Sequence, residues 1–196
     1  AYGPRYFAVR ATNTCGGVNS TAWAGPFYVL ANTLAGTVSG SQTVCSDGLI
    51  ATPITLSGNV GSVIKWQTAS DLAFTTNVID LAFTSTTLSP ANLGNVTQTI
   101  YVRAAVQNGS CLLTYTAPIQ ILMDETIWNG SWSSGAPNGS KRVIFDADYS
   151  STIDVDACSV WVRLGNVTIN SNHTLNITNE LKVTGGTITF ENNASL

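Results

Sequence analysis

The chain has 196 residues, enough for one large domain or two small ones, and a formal net charge of −3. Only 10% of its residues are charged, and Thr, Ser, Asn, Gly and Val fill the space, a mixture that suits strands and turns and suits helices poorly. This balance argues against nucleic acid as a partner, which needs a basic face. No apolar run approaches the roughly 18 residues of a spanning helix, so no membrane span is expected.

Taken in order, Tyr6-Phe-Ala-Val-Arg-Ala-Thr12 alternates as a half-buried strand does, Asn13-Thr-Cys-Gly-Gly17 reads as a turn, and Pro26-Phe-Tyr-Val-Leu30 reads as the next strand. Two strands cannot make a core. Residues 1–33 are therefore expected to be the C-terminal strands of a sandwich whose earlier strands precede Ala1.

Residues 34–123 read as a complete copy of the same domain. Val9-Arg10-Ala11 recurs as Val102-Arg103-Ala104, and Pro26, Val29 and Leu30 recur as Pro118, Ile121 and Leu122. An offset in the nineties is the size of an immunoglobulin-like or fibronectin-III-like sandwich. Strands are expected at 43–45, 54–57, 63–68, 77–80, 85–88, 99–106 and 114–122, with Trp66 in the core and Tyr101 beside it.

Asp124-Glu-Thr126 reads as a linker, followed by a turn-rich loop, Ile127-Trp-Asn-Gly-Ser-Trp132 and onward to Ser140. From Arg142 the strand signal resumes. Residues 160–175 align with 181–196 without a gap at an offset of 21. Val162 falls on Val183, Gly165 on Gly186, Val167 on Ile188, Ile169 on Phe190, Asn172 on Asn193 and Leu175 on Leu196. Strand residues between repeating Gly and Asn corners are the mark of a solenoid coil. Residues 124–196 are thus expected to be a capped β-solenoid with about 21 residues per coil, continuing beyond Leu196, with 127–150 as the cap. The fold class is all-β.

Cysteines stand at 15, 45, 111 and 158 with no C-x-x-C, and His173, the single histidine, cannot complete a zinc set. Structural disulfides in an oxidising compartment are favoured over buried thiols. Cys45 and Cys111 flank the sandwich and are the expected pair. Cys15 would pair upstream of Ala1, and Cys158 is expected to be a buried free thiol.

Trp128 and Trp132, four apart in a polar loop, could stack on a sugar; plugging the top of the solenoid is the plainer reading. Asp146, Asp148, Asp154 and Asp156 form two D-x-D pairs that could offer oxygens to calcium. Neither has a Gly-spaced loop, so solvated turn carboxylates are the plainer reading and no cofactor is expected. His173 occupies a corner where the repeat places Ala194, and it is expected to be exposed. One corner histidine builds no nucleophilic triad, so no catalytic residue is assigned and the chain is read as a non-enzyme.

The run Gly36-Thr-Val-Ser-Gly-Ser-Gln-Thr-Val-Cys-Ser46, Ile54-Thr-Leu-Ser-Gly58, Ile64-Lys-Trp-Gln67, Tyr101-Val-Arg-Ala104 and Asn108-Gly-Ser-Cys111 resembles the Ig-like repeats of very large secreted proteins of flavobacteria and other Bacteroidetes. Trp128-Asn-Gly-Ser-Trp132, Val143-Ile-Phe-Asp146 and the two coils are similar to the module that follows those repeats, ahead of a type IX secretion sorting domain. The resemblance implies export by the type IX secretion system to the cell surface or medium, with the secretion machinery or outer-membrane anchoring proteins as partners. It implies no activity. The expected function is a structural and adhesive stalk of a gliding or attachment adhesin. The alternatives are an accessory region of a secreted hydrolase or peptidase, and a carbohydrate-binding module that meets surface glycans through Trp128 and Trp132.

Overall fold

The structure is a computed structural model that describes residues 4–11, 20–28 and 31–196. Strands β1 (Pro4–Ala11) and β2 (Ser20–Tyr28) pair antiparallel, Pro4 on Tyr28 and Ala11 on Ser20. The second strand starts earlier than the sequence reading placed it. Cys15 and the turn expected around it lie outside the described residues.

The next nine strands are β3 (Thr37–Ser39), β4 (Gln42–Val44), β5 (Ile54–Ser57), β6 (Ser62–Ala69), β7 (Ile79–Leu81), β8 (Thr87–Leu88), β9 (Ile100–Gln107), β10 (Thr114–Tyr115) and β11 (Ile119–Met123). A single helical turn, α1 (Pro90–Leu93), is capped by the Ser89 side chain. Two sheets face each other: β3-β5-β8, and β4-β11-β9-β6-β7 with β10 on β9. Alternation does the sorting. Ile54 and Leu56 point inward while Thr55 and Ser57 face solvent. Both sheets close on one core centred on Trp66, with Ile54, Leu88, Val102 and Ile121. Trp66 is fully buried, and its indole N–H donates to the Ser85 carbonyl at 3.0 Å, so the ring brings no unpaired polar atom inside.

One expected strand, 114–122, is two. Pro118 has no N–H to give a ladder, and the chain breaks there. The Thr116 hydroxyl accepts the Ala104 N–H at 3.0 Å in place of a backbone partner. After the break, β11 pairs antiparallel with β9 and parallel with β4.

The remaining strands are β12 (Glu125–Trp128), β13 (Arg142–Phe145), β14 (Tyr149–Ser150), β15 (Val155–Val162), β16 (Asn166–Ile169), β17 (Leu175–Val183) and β18 (Thr187–Phe190). All their pairings are parallel, in two sheets, β12-β13-β15-β17 and β14-β16-β18. This is a β-solenoid-like arrangement of about 3 turns. The alignment seen in the sequence is the observed register: Val160 on Leu181, Val162 on Val183, Val167 on Ile188, Ile169 on Phe190. The corners repeat too. Gly165 and Gly186 have φ of 81° and 83°, Asn172 and Asn193 of 65° and 60°, the left-handed region that these residue types tolerate. A Cβ on Gly186 would collide with the Gly165 carbonyl, so close stacking also requires glycine. The period of 21 belongs to the last coils. Higher up, Glu125 sits on Arg142 and Arg142 on Ser159, a shorter spacing. Inside lie Val143, Phe145, Val155, Val160, Val162, Val167, Ile169 and Leu175.

The linker shrinks to one residue. Thr126 is fully buried within β12, and only Asp124 separates β11 from β12. Its N–H donates to the Val44 carbonyl at 2.9 Å, and its carbonyl accepts from Arg142 at 2.8 Å. Among the described residues, no helix is long and apolar enough to cross a membrane.

Candidate functional site at the module joint

The densest convergence of polar chemistry lies where the two-sheet module meets the solenoid. Cys45, just after β4, is disulfide-bonded to Cys158 in β15, with Cα atoms 6.0 Å apart. This corrects two expectations: Cys45 does not pair with Cys111, and Cys158 is not a free thiol. Cys111 is the free cysteine among the described residues. The reason is the length of β9. Cys45 adjoins the end of the sheet near Ile100, whereas Cys111 follows the Gln107 end, where its thiol meets the Ala31 carbonyl at 3.6 Å. An eight-residue strand spans roughly 25 Å, far beyond the reach of about 7 Å between bridged Cα atoms.

The bridge is surrounded. Asn179 donates to Cys158 Sγ at 2.8 Å, and the Ser159 hydroxyl donates to the Cys45 carbonyl. Cys158 falls at the register shift between β15 and β17. The bulge turns Cys158 and Ser159 toward the module while Ala157 and Val160 stay in the solenoid core.

Arg142 is the second tie. It stands in β13, its side chain is buried, and its guanidinium reaches both modules. Nη1 meets Asp47 at 2.6 Å, Nε donates to Glu125 at 3.1 Å, and Nη2 donates to Glu125 and, at 3.3 Å, to the Thr97 carbonyl. Asp47 and Thr97 belong to the module, Glu125 to the solenoid. A buried guanidinium needs such a full set of acceptors. Lys141 adds an ion pair to Asp124 at 2.7 Å. Trp161, one rung from Ile144, carries cations over its ring: Lys182 at 4.5 Å and Arg163 at 5.3 Å from the centroid. The recess between Asp47, Arg142, Ser159 and Lys182 encloses about 10 Å³, room for one water at most. The arrangement fastens; it offers no chamber for an organic ligand.

The other sequence-derived residues lie elsewhere. Trp128 and Trp132 form an aromatic cluster with Phe145 and Tyr149, centroids 5.0–5.8 Å apart, packed against the solenoid core. The Trp128 N–H donates to the Asp148 carbonyl at 2.9 Å. Burial pushes the Tyr149 hydroxyl pKa up. The four aspartates do not converge. Asp146 pairs with Arg163, Asp148 accepts the Asn166 N–H at 2.7 Å, Asp154 accepts the Thr174 N–H at 2.8 Å, and Asp156 accepts from Asn176 at 2.8 Å. Each braces one coil to the next. No group of three or more His, Cys, Asp or Glu able to hold a metal occurs among the described residues.

His173 departs from the exposed position expected of it. It is half-buried, with Nδ1 2.8 Å from the Ser151 hydroxyl. Ser151 is fully buried and its hydroxyl already accepts the Asn170 N–H at 2.8 Å, so the pair braces a corner.

A further cluster carries no sequence signature. Arg103 lies between Phe74 and Tyr115, 3.9 and 4.1 Å from their centroids. It also donates to Gln67, which donates to Asp80, the partner of Lys65. Phe74 has φ of 57°, a strained value for a bulky residue. The loop is held by Asp71, which accepts the N–H groups of Thr75 and Thr76. Both faces of the guanidinium are covered, so the cluster is closed to ligands.

Comparison with known proteins places one part of the chain. Residues 34–125 match a family described as "Domain of unknown function (DUF8696)". No curated protein matches the chain, and no solved structure does.

Proposed function

We propose that this chain is a non-catalytic structural stalk of a large secreted or cell-surface protein, of the gliding or attachment adhesin type, exported by type IX secretion. The observation that carries this reading is the joint. A covalent bridge, a buried arginine with ligands on both modules and a strand interrupted only at Asp124 make two modules act as one stiff piece. Stiffness across a boundary is what a spacer needs, and where the contacts across the boundary are polar, relative motion is the default unless a covalent tie and a short linker restrain it. The disulfide supports an oxidising compartment outside the cytosol. The two facing sheets around Trp66 support an Ig- or fibronectin-III-like sandwich for residues 34–123. The low charge supports a surface that faces medium rather than a charged partner.

The test is made on cells of the source organism. An antibody against this region should label intact cells, and deletion of the region should reduce surface attachment while leaving secreted hydrolytic activity unchanged. Labelling only after envelope disruption, or loss of a hydrolytic activity with attachment intact, overturns the stalk reading.

A further inference from the structure

The outer face of the larger sheet in residues 34–123 carries a groove over β4 and β11. Ile121 and Met123 turn into the core, and Ile119 and Val44 pack against it. Alternation therefore puts Thr43, Gln120 and Leu122 on the opposite, outward face. There Thr43 stands beside Leu122 on the parallel rung, and Gln120 beside Tyr101 on the antiparallel one. With Ser41 and Gln42 they line a groove of about 240 Å³, room for about eight waters. That falls below the roughly 300–1,000 Å³ of a site for a drug-sized ligand.

The lining narrows the class of ligand. It is hydroxyls, amides and one apolar side chain, Leu122, with no charge, so a phosphate, sulfate or carboxylate would find no cation. A peptide strand would add at the sheet edge, β4, but the chain's own 51–52 segment lies along it. Gln42 Nε2 donates to the Gly40 and Thr52 carbonyls at 3.1 and 2.9 Å, and its Oε1 accepts the N–H groups of Ala51 and Thr52 at 3.0 and 3.2 Å. The same four bonds fix the rim before a ligand arrives, so little ordering is left to oppose binding. Gln120 Nε2 donates to the Tyr101 hydroxyl at 3.2 Å, which orients the amide. Its Oε1 and the exposed hydroxyls of Ser41 and Thr43 have no partner among the described residues. A neutral sugar matches this set: its hydroxyls donate and accept, and its C–H face needs an apolar contact.

We propose that this groove is a subsite for one pyranose ring of a neutral saccharide. Ser41, Thr43 and Gln120 meet the ring hydroxyls, Leu122 meets the C–H face, and Tyr101 is a positioning residue for Gln120. The subsite is separate from Trp128 and Trp132, which pack against the solenoid core, and it stands whether or not the chain is a stalk.

The test follows the amide NMR spectrum of the intact chain while the methyl glycosides of glucose, galactose, mannose and N-acetylglucosamine are each added to about 50 mM, since a ligand of this size reaches affinities of order mM. At least one should give saturable shifts confined to residues 41–43 and 120–122. Leu122→Lys, a change at an exposed position whose folding is checked by the unchanged remainder of the spectrum, should abolish them. Gln120→Ala should weaken them, Tyr101→Phe should weaken them less, and Trp132→Phe should leave them unchanged. No saturable shift with any of the four glycosides overturns the proposal. So does an equal response in Leu122→Lys, or to glycerol in place of a sugar. Shifts centred on the Trp128 and Trp132 indoles also overturn it, because they would place the sugar on the solenoid.

Discussion

The two modules solve the same burial problem in opposite ways. In residues 34–123 the core is closed: strands distant in sequence, from two sheets, converge on one cluster that contains Trp66. In the solenoid each rung is covered by the next, so burial depends on vertical neighbours. A closed core is all-or-none, whereas a stack is a sum of interfaces. The joint matters because it ties a unit of the first kind to a unit of the second.

The largest effect expected from breaking this contrast is inside the closed core. Trp66→Ala should cost about 3–5 kcal/mol, read as a drop in the denaturant midpoint of the 34–123 module. If the joint couples the modules, the solenoid transition moves with it in the oxidised protein and stays in place once Cys45–Cys158 is reduced. Next is the bridge itself. Cys158→Ser should cost about 2–4 kcal/mol and split one unfolding transition into two. A single unshifted transition would show that the bridge adds nothing to coupling.

Arg142→Ala should follow, at about 1–3 kcal/mol, because Asp47 and Glu125 lose their shared partner but are themselves partly solvated. Arg142→Lys should recover only part, since one ammonium cannot serve Asp47, Glu125 and the Thr97 carbonyl together. Equal stability of all three proteins would remove Arg142 from the account.

The smallest effects are in pH, and the acid-side ones fall in the 34–123 module. In the 34–123 module, hydrogen bonds from Lys65 and Gln67 hold the Asp80 carboxyl below its usual range. Desolvation opposes ionisation of Asp71, but the N–H groups of Thr76 and Thr75 outweigh it and its pKa also falls. The stability these groups add is present above the unfolded carboxylate pKa of about 4 and is lost as pH falls through the lower folded values. In the solenoid, burial raises Tyr149, so its contribution is full below about pH 10 and is lost as pH rises through the higher folded value. The hydrogen bond to Asp80 also raises Lys65, so alkali should weaken both modules, whereas acid should loosen the 34–123 module first. The near-ultraviolet circular dichroism lost in Trp66→Phe reports the 34–123 module and that lost in Trp128→Phe reports the solenoid cap; loss of the Trp128 signal before the Trp66 signal in acid would contradict this.

What the sequence could reveal follows from the same contrast. Parallel rungs repeat their environment at a fixed offset, so Val167 over Ile188 and Gly165 over Gly186 were visible as self-alignment. Trp66 and the alternation of Ile54 and Leu56 were legible for the equally local reason of period two. The joint was not. Cys45 and Cys158 are 113 residues apart and meet only because β4 lies parallel to β11 and β11 runs on into β12, a topology no local pattern encodes. Chain order made Cys111 look like the partner. The half-buried His173 was hidden because its brace, Ser151, sits in a coil of different length.

The central claim is that residues 34–196 move as one rigid piece. The most direct measurement is the distance distribution between labels at Thr52 and Glu191, exposed positions on the two modules, attached through non-cysteine chemistry. The account predicts one narrow distance in the oxidised protein, broadening when Cys45–Cys158 is reduced in Arg142→Ala. A distribution already broad in the oxidised protein, and unchanged by reduction, would contradict it.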